Sequence, residues 1–115
     1  MPNVGVESSG IFTSYPMLIG AGQATTVGNT TLVTPTAGTI LRVHYCSYNP
    51  SAAAEVGFRF GASGTIFLRN NLTSGSVISK DFGETRFIAG ARDEAIFLNQ
   101  SAAVTTNWTI FYTEF

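Results

Sequence analysis

Short runs of β-branched and aromatic residues, separated by clusters of Gly, Asn, Ser and Pro, recur along nearly the whole chain. No segment carries apolar residues at positions i, i+3, i+4 and i+7 over the length of a helix. Short runs at this spacing are typical of β-sandwiches and barrels. The pattern therefore predicts an all-β fold with essentially no helix.

Turn-forming clusters set the bounds of the predicted strands. In Thr34-Pro35-Thr36-Ala37-Gly38 the proline fixes φ and the glycine supplies a positive φ, so the chain turns before its longest run. We expect some of the predicted strands to merge or to be irregular. The predicted strands are Phe12–Ile19, Gln23–Val27, Thr30–Thr34, Thr39–Asn49, Glu55–Gly61, Thr65–Asn70, Ser76–Asp81, Thr85–Ala89, Glu94–Asn99 and Asn107–Glu114.

The length of 115 residues suits one domain with a modest core. Residues 1–10 are polar and contain Gly5 and Gly10, so we expect a flexible N-terminal arm there. Residues 11–115 are expected to form a single β-sandwich domain.

We expect neither a signal peptide nor a membrane-spanning run in this sequence. Cys46 is the single cysteine, so no internal disulfide can form.

Two predicted strands carry apolar groups on both faces. Alternation in Thr39–Asn49 separates Leu41, Val43 and Tyr45 from Arg42, His44, Cys46 and Tyr48. Alternation in the last strand separates Trp108, Ile110 and Tyr112 from Thr109, Phe111, Thr113 and Phe115. One face of each strand should pack inside the sandwich. The second face then needs another cover.

Charged residues make up only 11% of the chain, against about 25% in an average soluble domain. The net charge of -1 argues against nucleic acid and against an anionic membrane as partners. A surface so poor in charge is covered by small polar residues or by another protein. Arg42, Arg59 and Arg69 lie in predicted strands opposite the most apolar faces, and arginine there is typical of protein–protein interfaces.

A short motif occurs twice, fifty positions apart. Residues 49–53 read Asn-Pro-Ser-Ala-Ala and residues 99–103 read Asn-Gln-Ser-Ala-Ala, each between two predicted strands. The repeat predicts two pseudo-equivalent hairpins, as in a sandwich built from paired Greek keys. Coincidence in a chain rich in Ala and Ser is the alternative.

Few residues suggest catalysis. His44 and Cys46 are two positions apart, so alternation points both side chains the same way, but no third group orients them as a dyad requires. One His and one Cys are too few for a zinc site, which leaves a small buried Cys and a His near an interface as the simpler interpretation. The turn acids Asp81, Glu84, Asp93 and Glu94 lie next to Lys80, Arg86 and Arg92, which favours local ion pairs over a carboxylate pair for catalysis. We expect no enzyme activity, no cofactor and no metal.

Three segments carry a resemblance to a known family. Residues 34–43 (TPTAGTILRV), residues 49–54 (NPSAAA) and residues 94–103 (EAIFLNQSAA), with the terminal aromatic strand, resemble capsid decoration (cement) proteins of tailed bacteriophages. The similarity extends from about residue 23 to residue 115. It implies a jelly-roll-like antiparallel β-sandwich that binds the assembled phage head as a homotrimer and stabilises contacts between major capsid subunits. It also implies location on the outer surface of the virion capsid, after synthesis in the host cytoplasm.

The candidate interface residues come from the N-terminal segment and from the sides of the predicted strands that face away from the core. They are Val4, Val6, Phe12, Tyr15, Arg42, His44, Tyr48, Arg59 and Arg69. Two other functions stay open. One is a phage tail or fibre module that binds a carbohydrate or receptor through aromatic residues, since a fold of this kind also occurs in lectins. The other is a non-viral sugar-binding or adhesion domain.

Overall fold

The computed structural model describes residues 16–64, 66–73, 75–83 and 86–115. This part of the chain contains nine β-strands and no helix. The predicted arm at residues 1–10, and with it Val4, Val6, Phe12 and Tyr15, lies outside the described residues. The strands are β1 (Leu18–Ala24), β2 (Gly28–Val33), β3 (Leu41–Pro50), β4 (Ala54–Phe60), β5 (Ile66–Leu72), β6 (Ile78–Asp81), β7 (Ile88–Ala89), β8 (Ile96–Gln100) and β9 (Thr106–Glu114).

The strands form two antiparallel sheets. The first sheet has the order β1-β9-β3-β6, with the short β7 also paired to β3, and the second has the order β2-β8-β4-β5. If β6 and β7 are counted as one strand, the chain crosses between the two sheets at every connection except the β4–β5 hairpin, which is the interleaved order of a jelly roll. The predicted fold class, an all-β jelly-roll-like antiparallel sandwich, is confirmed.

One predicted strand is wrong. Residues 23–27 do not form a strand of their own, because Gln23 and Ala24 end β1 and residues 25–27 turn the chain into β2. Gly28 has a φ of 88°, a conformation that glycine adopts without strain, and it starts β2 directly after the turn. The predicted Thr30–Thr34 strand corresponds to β2 and the predicted Asn107–Glu114 strand to β9.

A bulge in β3 reverses the predicted alternation of that strand. The pairing of β3 with β9 shifts between Val43 and Tyr45, which leaves His44 without a partner in the ladder. Leu41, Val43, Cys46 and Tyr48 are therefore the core side chains of this strand, each at most 1% exposed. The prediction placed Tyr45 with Leu41 and Val43, and it is wrong beyond the bulge. The extra residue puts both His44 and Tyr45 on the side away from the core.

The core lies between the two sheets and is apolar and aromatic. Phe58 is fully buried, and its ring meets that of Tyr48 edge-on at 5.3 Å and that of Phe67 at 6.0 Å. The indole of Trp108 packs beneath β1, where an added Cβ on Gly22 would lie 3.1 Å from the ring. Glycine at this position lets the edge strand β1 approach the indole closely.

The repeated motif forms two equivalent corners. Ser51 donates its backbone N–H to the Thr105 carbonyl at 2.8 Å, and its Oγ accepts the Thr105 N–H at 3.1 Å. Ser101 makes the same two bonds with Glu55, at 2.9 and 2.8 Å. Thr105 and Glu55 are themselves fifty positions apart, so the sequence repeat is a repeat of structure. The corners are not hairpins, because each joins strands of opposite sheets: β3 to β4, and β8 to β9.

Glu114 ties the last strand to the turn before β3. Its Oε1 accepts the Thr36 N–H at 2.5 Å and the Thr39 hydroxyl at 2.9 Å, and these bonds hold the pKa of the carboxyl below its usual value. A carboxyl with a lowered folded-state pKa stabilises the fold above its unfolded pKa of about 4.3, and that contribution is lost as pH falls through the folded value.

We expect Glu114→Gln to lower the free energy of unfolding at pH 7 by about 0.5 kcal/mol, a small amount because solvent screens this exposed group. The difference from wild type should disappear at pH 2. Urea unfolding at both pH values checks this. A difference that persists at low pH would contradict a role for the carboxylate charge.

Candidate interaction surface

The strand register defines three rows of side chains on the side of the first sheet that faces away from the core. We call this side the outer face. Its three rows cross β1, β9 and β3 and are read from the paired residues. They are Ile19–Phe111–Tyr45, Ala21–Thr109–Ser47 and Gln23–Asn107–Asn49. No residue of these three rows is charged.

The first of these rows is apolar and aromatic. Ile19 is 67% exposed, the highest fraction among the large hydrophobic side chains of the described chain. The rings of Tyr45 and Phe111 lie beside each other, with centroids 4.9 Å apart and planes tilted by 41°. The row ends at Asp81 in β6, which pairs with Tyr45. We refer to Ile19, Phe111 and Tyr45 as the apolar row.

The other two rows of the outer face are small or amide side chains. Ser79 of β6 extends the middle row past Ser47. In the third row, the Gln23 side-chain amide donates to Asn107 Oδ1 at 3.0 Å. Asn49 donates to the Ser76 carbonyl at 3.1 Å. Such a surface costs less to desolvate than one that carries ions, and its amide groups at Gln23 and Asn49 already donate to partners.

Arg42 and two aromatic rings lie at the end of the outer face nearest β7. The guanidinium lies over the rings of Phe115 and Phe87, at 3.0 and 4.6 Å from their centroids. Phe87 is 42% exposed and also contacts the His44 ring at 5.8 Å. These rings hold the guanidinium at the surface by cation–π contact and leave part of Phe87 open to a partner.

The structure separates His44 from Cys46. His44 Nδ1 donates to the Gly83 carbonyl at 3.1 Å. With the proton on Nδ1, the Nε2 atom of the ring accepts from the Thr113 hydroxyl at 3.0 Å. These two contacts place the ring on the outer side. Cys46 faces the core, and burial raises the pKa of its thiol to about 12. The prediction that the two side chains point the same way is wrong, because the bulge at His44 intervenes.

The predicted interface residues that the structure describes fall in different places. Arg42 and His44 lie on the outer side of the first sheet, whereas Arg59 and Arg69 lie in the second sheet. Arg59 donates to the Gly64 carbonyl, and Arg69 forms an ion pair with Glu55 at 2.5 Å. Tyr48 is 1% exposed and donates its hydroxyl to the Leu68 carbonyl inside the sandwich, so it presents no surface.

Sequence reasoning missed the apolar row as a unit. Phe111 was placed opposite the Trp108 face, and the structure confirms that placement. Tyr45 was assigned to the wrong side because the bulge has no sequence marker. Ile19 was predicted to end a strand, but its position beside Phe111 depends on a pairing between chain segments more than ninety residues apart.

A cleft of about 340 Å³ opens at one end of the sandwich. Its floor contains Phe60 and Phe67, whose rings stack on each other at 5.5 Å. Its wall includes Glu94, whose Oε1 already accepts the Ala91 N–H at 2.8 Å. Phe60 is only 8% exposed, so the half-buried Phe67 is the ring that leaves aromatic surface open in the cleft.

Two kinds of site are absent from the described part of the chain. It contains no group of three or more His, Cys, Asp or Glu side chains that could hold a metal ion. It also contains no helix with the length and apolar character needed to cross a membrane.

Comparisons with known proteins find similarity among solved structures. No family model and no curated protein matches the chain. Among solved structures, the chain is similar to one in the cyanophage Pam1 capsid asymmetric unit, with a TM-score of 0.45 and 12% sequence identity. The similarity covers 98% of this chain and 99% of that chain. At this degree of similarity, function has to be argued from the surface itself.

Proposed function

We propose that this chain is a virion structural protein that decorates the head of a tailed phage. In this proposal it binds the assembled shell as a homotrimer and stabilises contacts between major capsid subunits. The protein acts on the capsid exterior by binding and carries out no reaction.

The observation that supports the proposal is the set of three uncharged rows on the outer face of the first sheet, which is bounded by Asp81 at one side and Arg42 at one end. The inner side of that sheet fills the core, and the apolar row and the small and amide rows beside it lie outside that core. An exposed apolar patch rimmed by polar residues is typical of a surface that another protein covers, and the apolar row beside the small and amide rows has this arrangement. By contrast, the inner strand β4 of the second sheet carries Glu55 and Arg59, and its neighbour β5 carries Arg69.

A decoration protein works by mass action. A protein that binds the assembled shell but not its separated subunits stabilises the assembled state by an amount set by its free concentration relative to Kd. When three copies are linked, binding of the first raises the effective concentration of the other two at the shell. Modest contacts by each copy then add up to tight binding of the trimer. A sandwich with three uncharged rows on one face suits this role because the strands hold these rows in place, so little conformational entropy is lost on binding.

The test is co-sedimentation of the purified protein with heads of its phage assembled without it. We expect wild-type protein to bind saturably, and Phe111→Ser to weaken binding by about tenfold or more, because each copy loses apolar contact worth about 1.4 kcal/mol or more. The matched control is Phe97→Ser, which removes a half-buried phenylalanine from β8, the corresponding inner strand of the second sheet. We expect this control to bind like wild type.

Two results would contradict the proposal. Absence of head binding by the folded wild-type protein would reject a decoration role. Equal loss of binding in the Phe111 and Phe97 variants would reject the outer face as the contact. In the first case, the cleft of Phe60, Phe67 and Glu94 makes a carbohydrate-binding tail or fibre module the second candidate. A glycan screen of wild type and Glu94→Gln would then test that function.

A further inference from the structure

Among the described residues, strand β1 is an edge strand that lacks the features that normally protect one. Only one side of β1 pairs with a strand in the described structure, and that partner is β9. The seven residues from Leu18 to Ala24 include no charge and no proline. Their register with β9 runs through seven consecutive pairs without a bulge. A straight, uncharged edge strand is a template for pairing with another strand.

The other edges of the two sheets are protected. In the second sheet, β2 pairs with β8 through a register shift, and β5 has both a register shift and the exposed Arg69. Leu68 in β5 has a φ of 53°, which bends that edge. In the first sheet, β6 has four residues that include Lys80 and Asp81, and β7 has two residues. Bulges, charges and short length are the usual protections of edge strands, so β1 differs from the rest.

We propose that β1 pairs antiparallel with β1 of a second copy of this chain across a two-fold axis. Antiparallel pairing of one strand with itself is isologous, and C2 contacts of this kind are the commonest in homo-oligomers. Centring the axis on Ala21 pairs all seven residues, with Ala21 opposite Ala21 of the second copy and Ile19 opposite Gln23. The two first sheets then form one continuous sheet across both molecules.

The side chains of β1 favour a second copy as the occupant. Gly20 and Gly22 face inward onto Trp108, so the positions on either side of Ala21 offer no bulk that would clash at the junction. Ala21 faces outward and is exposed, and its small size lets an identical strand approach. Pairing of β1 with itself places no like charges opposite each other, because β1 contains no charged residue. The pairing also extends the outer-face rows from one molecule to the next.

This inference goes beyond the proposed function, which needs a trimer but says nothing of β1. The test is the mass in solution of the full chain, by sedimentation at micromolar concentration. We expect wild type to contain an even number of copies. Ala21→Lys and Ala21→Glu should each raise the dissociation constant of the pair at least tenfold, because like charges then face each other across the axis. Mixing the two variants should restore the wild-type mass, since opposite charges then meet.

The matched control is Ser79→Lys, which puts the same charge in the middle row of the outer face at the opposite edge, in β6. This control should keep the wild-type mass. Circular dichroism confirms that each variant is folded. The proposal is overturned if wild type is a monomer, if Ala21→Lys keeps the wild-type mass, if the mixture fails to recover, or if Ser79→Lys has the same effect.

The outcomes separate this inference from the proposed trimer. A mass of three copies that Ala21→Lys leaves unchanged overturns β1 pairing and leaves the decoration trimer standing. Six copies that fall to three support both. Two copies that fall to one support β1 pairing and contradict the trimer.

Discussion

Replacing Phe58 by alanine is expected to lower the free energy of unfolding by about 3–5 kcal/mol, the loss typical of a large aromatic side chain removed from a packed core. Phe58 is 0% exposed and lies in β4 between the rings of Tyr48 and Phe67. Those rings come from β3 in the first sheet and β5 in the second. The cavity would therefore open between the two layers, where neither sheet can close it by moving alone.

Urea unfolding followed by the fluorescence of Trp108, the single tryptophan, measures this loss. The control is Phe97→Ala, which truncates the same residue type on the outward side of β8. Because Phe97 is only half-buried, we expect it to cost about 1–2 kcal/mol. A Phe58 variant no less stable than the Phe97 variant would show that the contact between the sheets is not the main source of stability.

The second large effect is expected at Gln100, the buried amide at the end of β8. Its Nε2 donates to the Thr26 carbonyl at 3.0 Å and to the Val104 carbonyl at 2.8 Å. Its Oε1 accepts the hydroxyl of Thr106 at 2.6 Å, and both side chains are at most 1% exposed. One amide therefore joins the β1–β2 turn to the β8–β9 corner.

We expect Gln100→Leu to destabilise the fold by about 2–3 kcal/mol, because leucine of similar volume leaves the buried Thr106 hydroxyl and the two carbonyls without their partner. The control is Gln23→Leu, which removes an exposed amide that bonds to Asn107, and it should cost at most about 0.5 kcal/mol. The same urea titration compares the two. Equal effects at the two positions would contradict the importance of the buried network.

Local sequence signals predicted most of the strands and the two equivalent corners. The equivalence of the corners could be predicted because their sequences repeat. The bonds of the repeated serines could not, because each serine bonds to the residue that follows the other corner, Ser51 to Thr105 and Ser101 to Glu55. The sequence did not show that each corner joins strands of different sheets, because this depends on the pairing of β3 with β9 and of β4 with β8. Such pairings join residues distant in sequence.

The candidate surface was predictable only in part for the same reason. Alternation in the last strand placed Phe111 on the second face of a sheet, and the structure agrees. The bulge at His44 shifted Tyr45 to that face and removed Cys46 from it, and one extra residue reverses every later position of a strand. The apolar row, which joins Ile19 to these rings, exists only once three strands are in register.

The binding preference of the protein for assembled heads over separated capsid subunits tests the central claim most directly. The purified chain is titrated against heads assembled without it and, in parallel, against the dissociated major capsid protein. We predict saturable binding to heads, in multiples of three copies per site, and at least hundredfold weaker binding to free subunits. Equal affinity for both, or no binding to heads by a folded protein, would contradict the account.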